Sequence, residues 1–138
     1  MNMAFKKFDR DYRVCKANYL KTPVASLNKD GLITLYNAAL ELKDVSRLPF
    51  VNFYFDESEK KLGIQPIKVK EENSNALFYN GRMNNAYVSA MAILNYYEIA
   101  FKDIKNRKVR LYSVEYDAEN KMFVVDLNKE FVDEKEES

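Results

Sequence analysis

The chain has 138 residues, 47% hydrophobic and 31% charged, with a formal charge of +1. This length fits one domain with a real core, and no apolar run approaches the roughly 18 residues that span a bilayer. With no histidine and a single cysteine, Cys15, the chain lacks an internal disulfide, a histidine general base and the usual zinc ligand sets.

The segment Met1–Arg10 carries charge and aromatics where a secretion signal carries an apolar stretch, so a cytoplasmic, reducing location is expected. Three glycines, none at phosphate-loop spacing, imply no nucleotide cofactor. Charge is unevenly placed: residues 1–21 sum to +4 and residues 129–138 to −3.

In chain order, residues 1–12 read as an arm or a single helical turn, and Val14–Leu20 as extended. Val24–Leu27 and Leu32–Tyr36 are β-prone runs around Asn28-Lys29-Asp30-Gly31, whose Asp-Gly step marks a hairpin. Asn37 is placed to cap a short helix over Ala38–Val45, which Pro49 prevents from extending. Phe50–Phe55 and Leu62–Val69 form a second hairpin around the charged tip 56–61. Pro66 puts its strand at an edge or a bulge.

Ala76–Tyr79 is a short strand before the Asn80-Gly81 turn. Ala90, Ile93, Leu94 and Tyr97 make an apolar stripe at helical spacing. It predicts a main helix capped by Ser89, or starting a turn earlier near Ala86, and fading by Phe101. A basic connector, Lys102–Lys108, leads to strands Val109–Tyr116 and Met122–Leu127 around the Asp117–Asn120 turn. The tail from Lys129 is acidic and expected to be disordered.

Phe55-Asp56-Glu57-Ser58-Glu59-Lys60 matches Tyr116-Asp117-Ala118-Glu119-Asn120-Lys121 in pattern: an aromatic, Asp, a charged tip, then Lys. Either the chain repeats a strand–helix–hairpin unit, or two acidic-tipped hairpins merely look alike. A repeat implies pseudo-symmetric halves sharing one sheet or barrel, with the helices on one face and the other face open to a ligand or subunit.

The segments Gly31–Leu35, Asn37–Leu42, Phe50–Phe55 and Leu62–Ile67 resemble the strand–helix–hairpin unit of AbrB-type transition-state regulators, which are swapped-hairpin DNA-binding domains. Tyr36-Asn37 stands where those regulators carry a proline after the first strand, and Lys29 and Arg47 are the nearby basic residues. The second half is similar to small phage and mobile-element proteins. The strand-rich plan also resembles the Whirly and positive-cofactor class of single-stranded-DNA binders. These resemblances imply nucleic acid as partner.

Carboxylates at Asp56, Glu57, Glu59, Asp117 and Glu119 could do acid–base or metal chemistry, but their place on hairpin tips favours solvated residues that deter edge pairing. Basic residues interleaved with aromatics are the stronger lead. A positive track holds phosphates while flat rings stack on bases. Candidate nucleic-acid contacts are Lys6, Lys7, Arg10, Arg13 and Lys16; Tyr79 and Arg82; and Lys105, Arg107, Lys108, Arg110 and Tyr112. Alternation puts Arg110, Tyr112 and Val114 on one strand face, expected to be open. The bland alternative is that tyrosine simply packs well in strands and connector lysines are solvated.

The sequence therefore predicts an α+β domain over residues 1–128 with a mostly antiparallel sheet, two helices and a disordered tail over 129–138. It predicts a non-enzymatic nucleic-acid-binding protein that forms a homo-oligomer, with no metal, cofactor or membrane partner. The alternative is a protein-interaction module of phage or mobile-element origin, such as an inhibitor or virion accessory protein.

Overall fold

The computed structural model describes residues 22–44, 48–81, 84–105 and 108–130. The first hairpin forms as its turn signal predicts, from β1 (Val24–Leu27) and β2 (Leu32–Leu35). The Asn28 side chain accepts the Asp30 and Leu32 amides at 2.9 and 3.0 Å. Gly31 adopts a φ of 78°, and a Cβ there would lie 3.1 Å from the Met91 Cα. Both facts require glycine at the corner.

Helix α1 (Asn37–Leu40) is shorter than expected, and Tyr36, not Asn37, occupies its cap position. Only Ala39 is buried along it and Leu42 is largely exposed, so the apolar stripe lacks a surface to extend against. The second hairpin joins β3 (Phe50–Asp56) to β4 (Lys61–Ile67). Pro66 faces Val51 of β3, beyond the Lys61–Ile64 stretch that pairs on β4's other side, so its missing donor falls at a local edge.

The predicted main helix is shorter than expected, and its alternative start near Ala86 falls in a strand. Residues Asn85–Ser89 form strand β7, and α2 covers only Met91–Tyr96. Ala86 and Val88 point into the core with Asn85, Tyr87 and Ser89 on the other face. That period of two was obscured by Ala86, which also suits a helix. Ser89 ends the strand, and no side chain caps α2. Glu98, at a φ of 55°, turns the chain away, with the Ile99 amide donating back to the Leu94 carbonyl at 2.8 Å. The remaining strands are β5 (Asn75–Ala76), β6 (Phe78–Asn80), β8 (Arg110–Asp117) and β9 (Met122–Glu130). Strand β9 thus takes in Lys129 and Glu130, which the sequence had assigned to a tail; residues 131–138 lie outside the described set.

All nine strands among the described residues belong to one antiparallel sheet, in the order β5-β3-β4-β9-β8-β1-β2-β7-β6. The edge strands β5 and β6 are separated in sequence only by Leu77. The chain itself therefore steps from one edge of the sheet to the other, making a nearly closed barrel. The Leu77 amide donates to the Pro49 carbonyl at 2.9 Å, and the Tyr79 hydroxyl to the Leu48 carbonyl at 3.0 Å, on the β3 side of this seam.

Each hairpin finds its outer neighbours in the other half of the chain. Strands β1 and β2 pair with β8 and β7, while β3 and β4 pair with β5 and β9. With β5 and β6 taken together as the counterpart of β1, exchanging the halves 24–67 and 75–130 leaves this pairing scheme unchanged. The two acidic-tipped hairpins correspond closely under it. Asp56 pairs with Lys61 and Asp117 with Met122, and Lys60 and Lys121 share left-handed φ values of 52° and 55°.

The inward set includes Ala25, Leu27, Ile33, Leu35, Val51, Leu62, Ile64, Ala86, Val88, Val114, Phe123 and Val125, joined by Ala39 of α1 and Leu94 of α2. Phe101 and Ile104 also enter this core, so the predicted basic connector is in part an apolar one. The expected one-sided sheet with an open face is corrected here: that face is the barrel interior. Among the described residues, closure leaves the outer face of the barrel and the short edge strands β5 and β6 as the surfaces open to a partner.

Phe123 is fully buried between the halves' shared strands. Phe123→Ala should lower unfolding free energy by about 3–5 kcal/mol in a urea titration, in one transition reporting loss of both halves together.

Candidate functional site

Two concave surfaces stand out, and both are built by the exchanged hairpins. The first lies at the end of the barrel that carries α2, the β1–β2 turn and the β3–β4 tip. There Ala90 donates to the Gly31 carbonyl at 2.8 Å, and the Phe55 and Tyr97 rings meet at 4.6 Å. Phe55, Lys60, Tyr97, Ile99, Arg110, Tyr112 and Leu127 help line a recess of about 360 Å³, with Glu57 and Glu98 also on its wall. Tyr96 meets Tyr97 edge-on at 4.9 Å, so three rings run outward from the recess, and the last, Tyr96, is 79% exposed.

Arg110 anchors this rim. Its guanidinium donates to Asp103 at 2.7 Å and to the Ala100 carbonyl at 3.0 Å, pinning the chain between α2 and β8. Tyr112 is buried, and burial raises its phenol pKa, with Arg110 opposing the rise. The predicted alternation is correct: Arg110, Tyr112 and Val114 share a face. That face points into the barrel, so Tyr112 packs in the core.

The other candidate contacts divide. Lys105 and Lys108 are exposed on the chain between α2 and β8. Tyr79 is half-buried at the seam, with its hydroxyl engaged by Leu48. Lys6, Lys7, Arg10, Arg13, Lys16, Arg82 and Arg107 lie outside the described residues, as does Cys15. Phe78 and Tyr87 stack on the outer face of β6–β7 at 5.5 Å and 23°.

The second surface is a groove of about 540 Å³ on the outside of β3, β4, β9 and β8. Sequence reasoning missed it. Its twelve lining residues are six pairs offset by 61 positions: Tyr54 and Glu115, Phe55 and Tyr116, Asp56 and Asp117, Glu59 and Asn120, Lys61 and Met122, Gly63 and Val124. The repeated tip motif held the signal, had the offset been carried from the tips into the strands. The groove straddles the axis relating the halves.

The tip aspartates do the same job at both ends. Asp56 Oδ1 accepts the Ser58 hydroxyl at 2.7 Å and the Ser58 and Glu59 amides at 3.0 and 3.1 Å. Asp117 accepts the Asn120 side-chain amide at 2.7 Å and its backbone amide at 3.1 Å. Bonds to the Ser58 hydroxyl first, and to the Asn120 side chain first, hold the two carboxyls below their ordinary 3.8. Among the described residues, no three ligating side chains converge as a metal set, and no helix is long and apolar enough to cross a membrane.

A lowered carboxyl pKa in the folded state means the ionised form adds stability above the unfolded value, and this is lost as pH falls through the folded value. Asp56→Ala combined with Asp117→Ala should therefore destabilise the chain at neutral pH. In denaturant titrations, its deficit against the parent should shrink as pH falls below about 4. Set beside known proteins, the chain matches no family model, no curated protein and no solved structure.

Proposed function

We propose that the chain is a non-enzymatic nucleic-acid-binding protein whose contact surface is the α2 end of the barrel. The observation that carries this reading is the rim itself. An outward run of rings, Phe55, Tyr97 and Tyr96, lies beside Lys60 and Arg110, on the end of the barrel served by the segment bearing Lys102, Lys105 and Lys108. Rings offer stacking surfaces to unpaired bases, and lysines neutralise phosphates.

The pairing scheme adds support. Two strand–helix–hairpin units that exchange hairpins within one chain suit the resemblance to swapped-hairpin DNA-binding domains, here with both units in one polypeptide. Fold alone does not assign function, so the rim bears the weight. Residues 1–21 contribute +4, leaving the other 117 residues at −3. Polyanion binding therefore depends on local clusters and on the basic N-terminal segment, and calls for low salt.

Labelled single- and double-stranded oligonucleotides, followed by fluorescence anisotropy across a salt series, test this. The expected result is preference for the single strand, with affinity falling steadily as salt rises. Tyr96→Ala should cost about 1–3 kcal/mol of binding by removing a stacking face, and Lys105→Glu with Lys108→Glu should flatten the salt slope. No binding to either oligonucleotide at low salt removes the assignment.

A further inference from the structure

The groove between the two acidic tips is ringed by carboxylates. Its central row crosses four strands in register: Tyr54 beside Gly63, Gly63 beside Val124, and Val124 beside Glu115. At the centre of the floor, Gly63 lets the Met122 side chain lie across the strands, its sulfur 2.5 Å from where a Cβ would stand. Tyr54 is 48% exposed, with its hydroxyl held at 3.2 Å by Gln65, so its ring stands as a fixed wall. Gln65 is itself held by the Asn120 carbonyl at 3.0 Å, which ties the floor to the opposite tip.

Around this apolar floor stand Asp56, Glu59, Glu115 and Asp117, against one cation, Lys61. Lys61 is itself paired with Glu59 at 3.8 Å. Asp56 and Asp117 sit at opposite corners, related by the axis through the groove. Between the level of Lys61 and that of Met122 the groove runs about four residues along β4, or roughly 13 Å of extended chain. A nucleic acid is repelled by this face. A second copy of the chain docking groove to groove would bring like charges together.

We propose that this groove docks an extended, lysine- or arginine-bearing segment of a partner protein. Two cationic side chains about four residues apart would reach the carboxylates at opposite corners. An intervening apolar side chain would pack on Met122 and Val124 of the floor, and the Tyr54 ring would offer a face to one of the cations. The inference is independent of the nucleic-acid reading, since the two surfaces share only Phe55 among their lining residues.

The test is anisotropy of a fluorescein-labelled hexapeptide of alternating lysine and valine, with a glutamate–valine peptide as control, at low salt on the full chain. The expected result is saturable binding of the lysine peptide at least tenfold tighter than the control. Glu115→Lys, at an exposed site, should weaken binding tenfold or more. Gly63→Val should weaken it by pushing the Met122 side chain off the floor, while Glu41→Lys, outside the groove, should leave it unchanged. Oligonucleotide binding should survive Glu115→Lys, which separates failure here from failure of the rim reading. Equal binding of both peptides, or affinity unmoved by Glu115→Lys, overturns the proposal. Self-association in sedimentation that Glu115→Lys abolishes would assign the groove to a second copy instead and also overturn it.

Discussion

The pairing of each hairpin with the other half's hairpins is the constraint on which the structure depends. Among the described residues, strands β1 and β2 have no partners within their own half except each other, and the same holds for β3 and β4. Neither half can bury its apolar face alone, because the residues opposite belong to the other: Leu62 of β4 lies beside Val125 of β9, and Ala25 of β1 beside Tyr112 of β8. Leu77 completes the arrangement by carrying the chain between the two sheet edges, leaving little free edge to template aggregation.

This exchange also decides where chemistry can occur. Closing the sheet turns one face of every strand into core, and it is this that removes Tyr112 from any role in surface stacking. What remains for partners is the outside and the ends. On the outside, the symmetry of the backbone is broken by its side chains: Tyr54 stands opposite Glu115, Gly63 opposite Val124, Lys61 opposite Met122. A groove built on a two-fold plan thus has a direction. At the α2 end, Arg110 ties the incoming strand to the Asp103 and Ala100 segment, which holds that segment beside the ring run.

Local features of this fold were legible in the sequence, and long-range ones were not. Asp30-Gly31 marked the first hairpin because its geometry is set by adjacent residues. The Phe55 and Tyr116 motifs marked two equivalent tips for the same reason, an aspartate capping its own turn. Strand β7 was hidden because Ala86 fits a helix as well as a strand, and pairing with β2 decided between them. Alternation placed Arg110 with Tyr112, but periodicity gives only which side chains share a face. Whether that face looks outward depends on closure through Leu77, which no local pattern encodes. The groove was missed for a related reason: its carboxylates read as solvated tips until β4 and β9 are known to be neighbours.

The central claim is that the halves stand or fall together. Native-state hydrogen exchange along a denaturant series tests it most directly, by following amides in β1, β4, β8 and β9. The account predicts that amides on both sides of the β4–β9 and β1–β8 seams converge on one opening free energy, equal to that of global unfolding. Protection persisting in one half while the other half exchanges freely would contradict it.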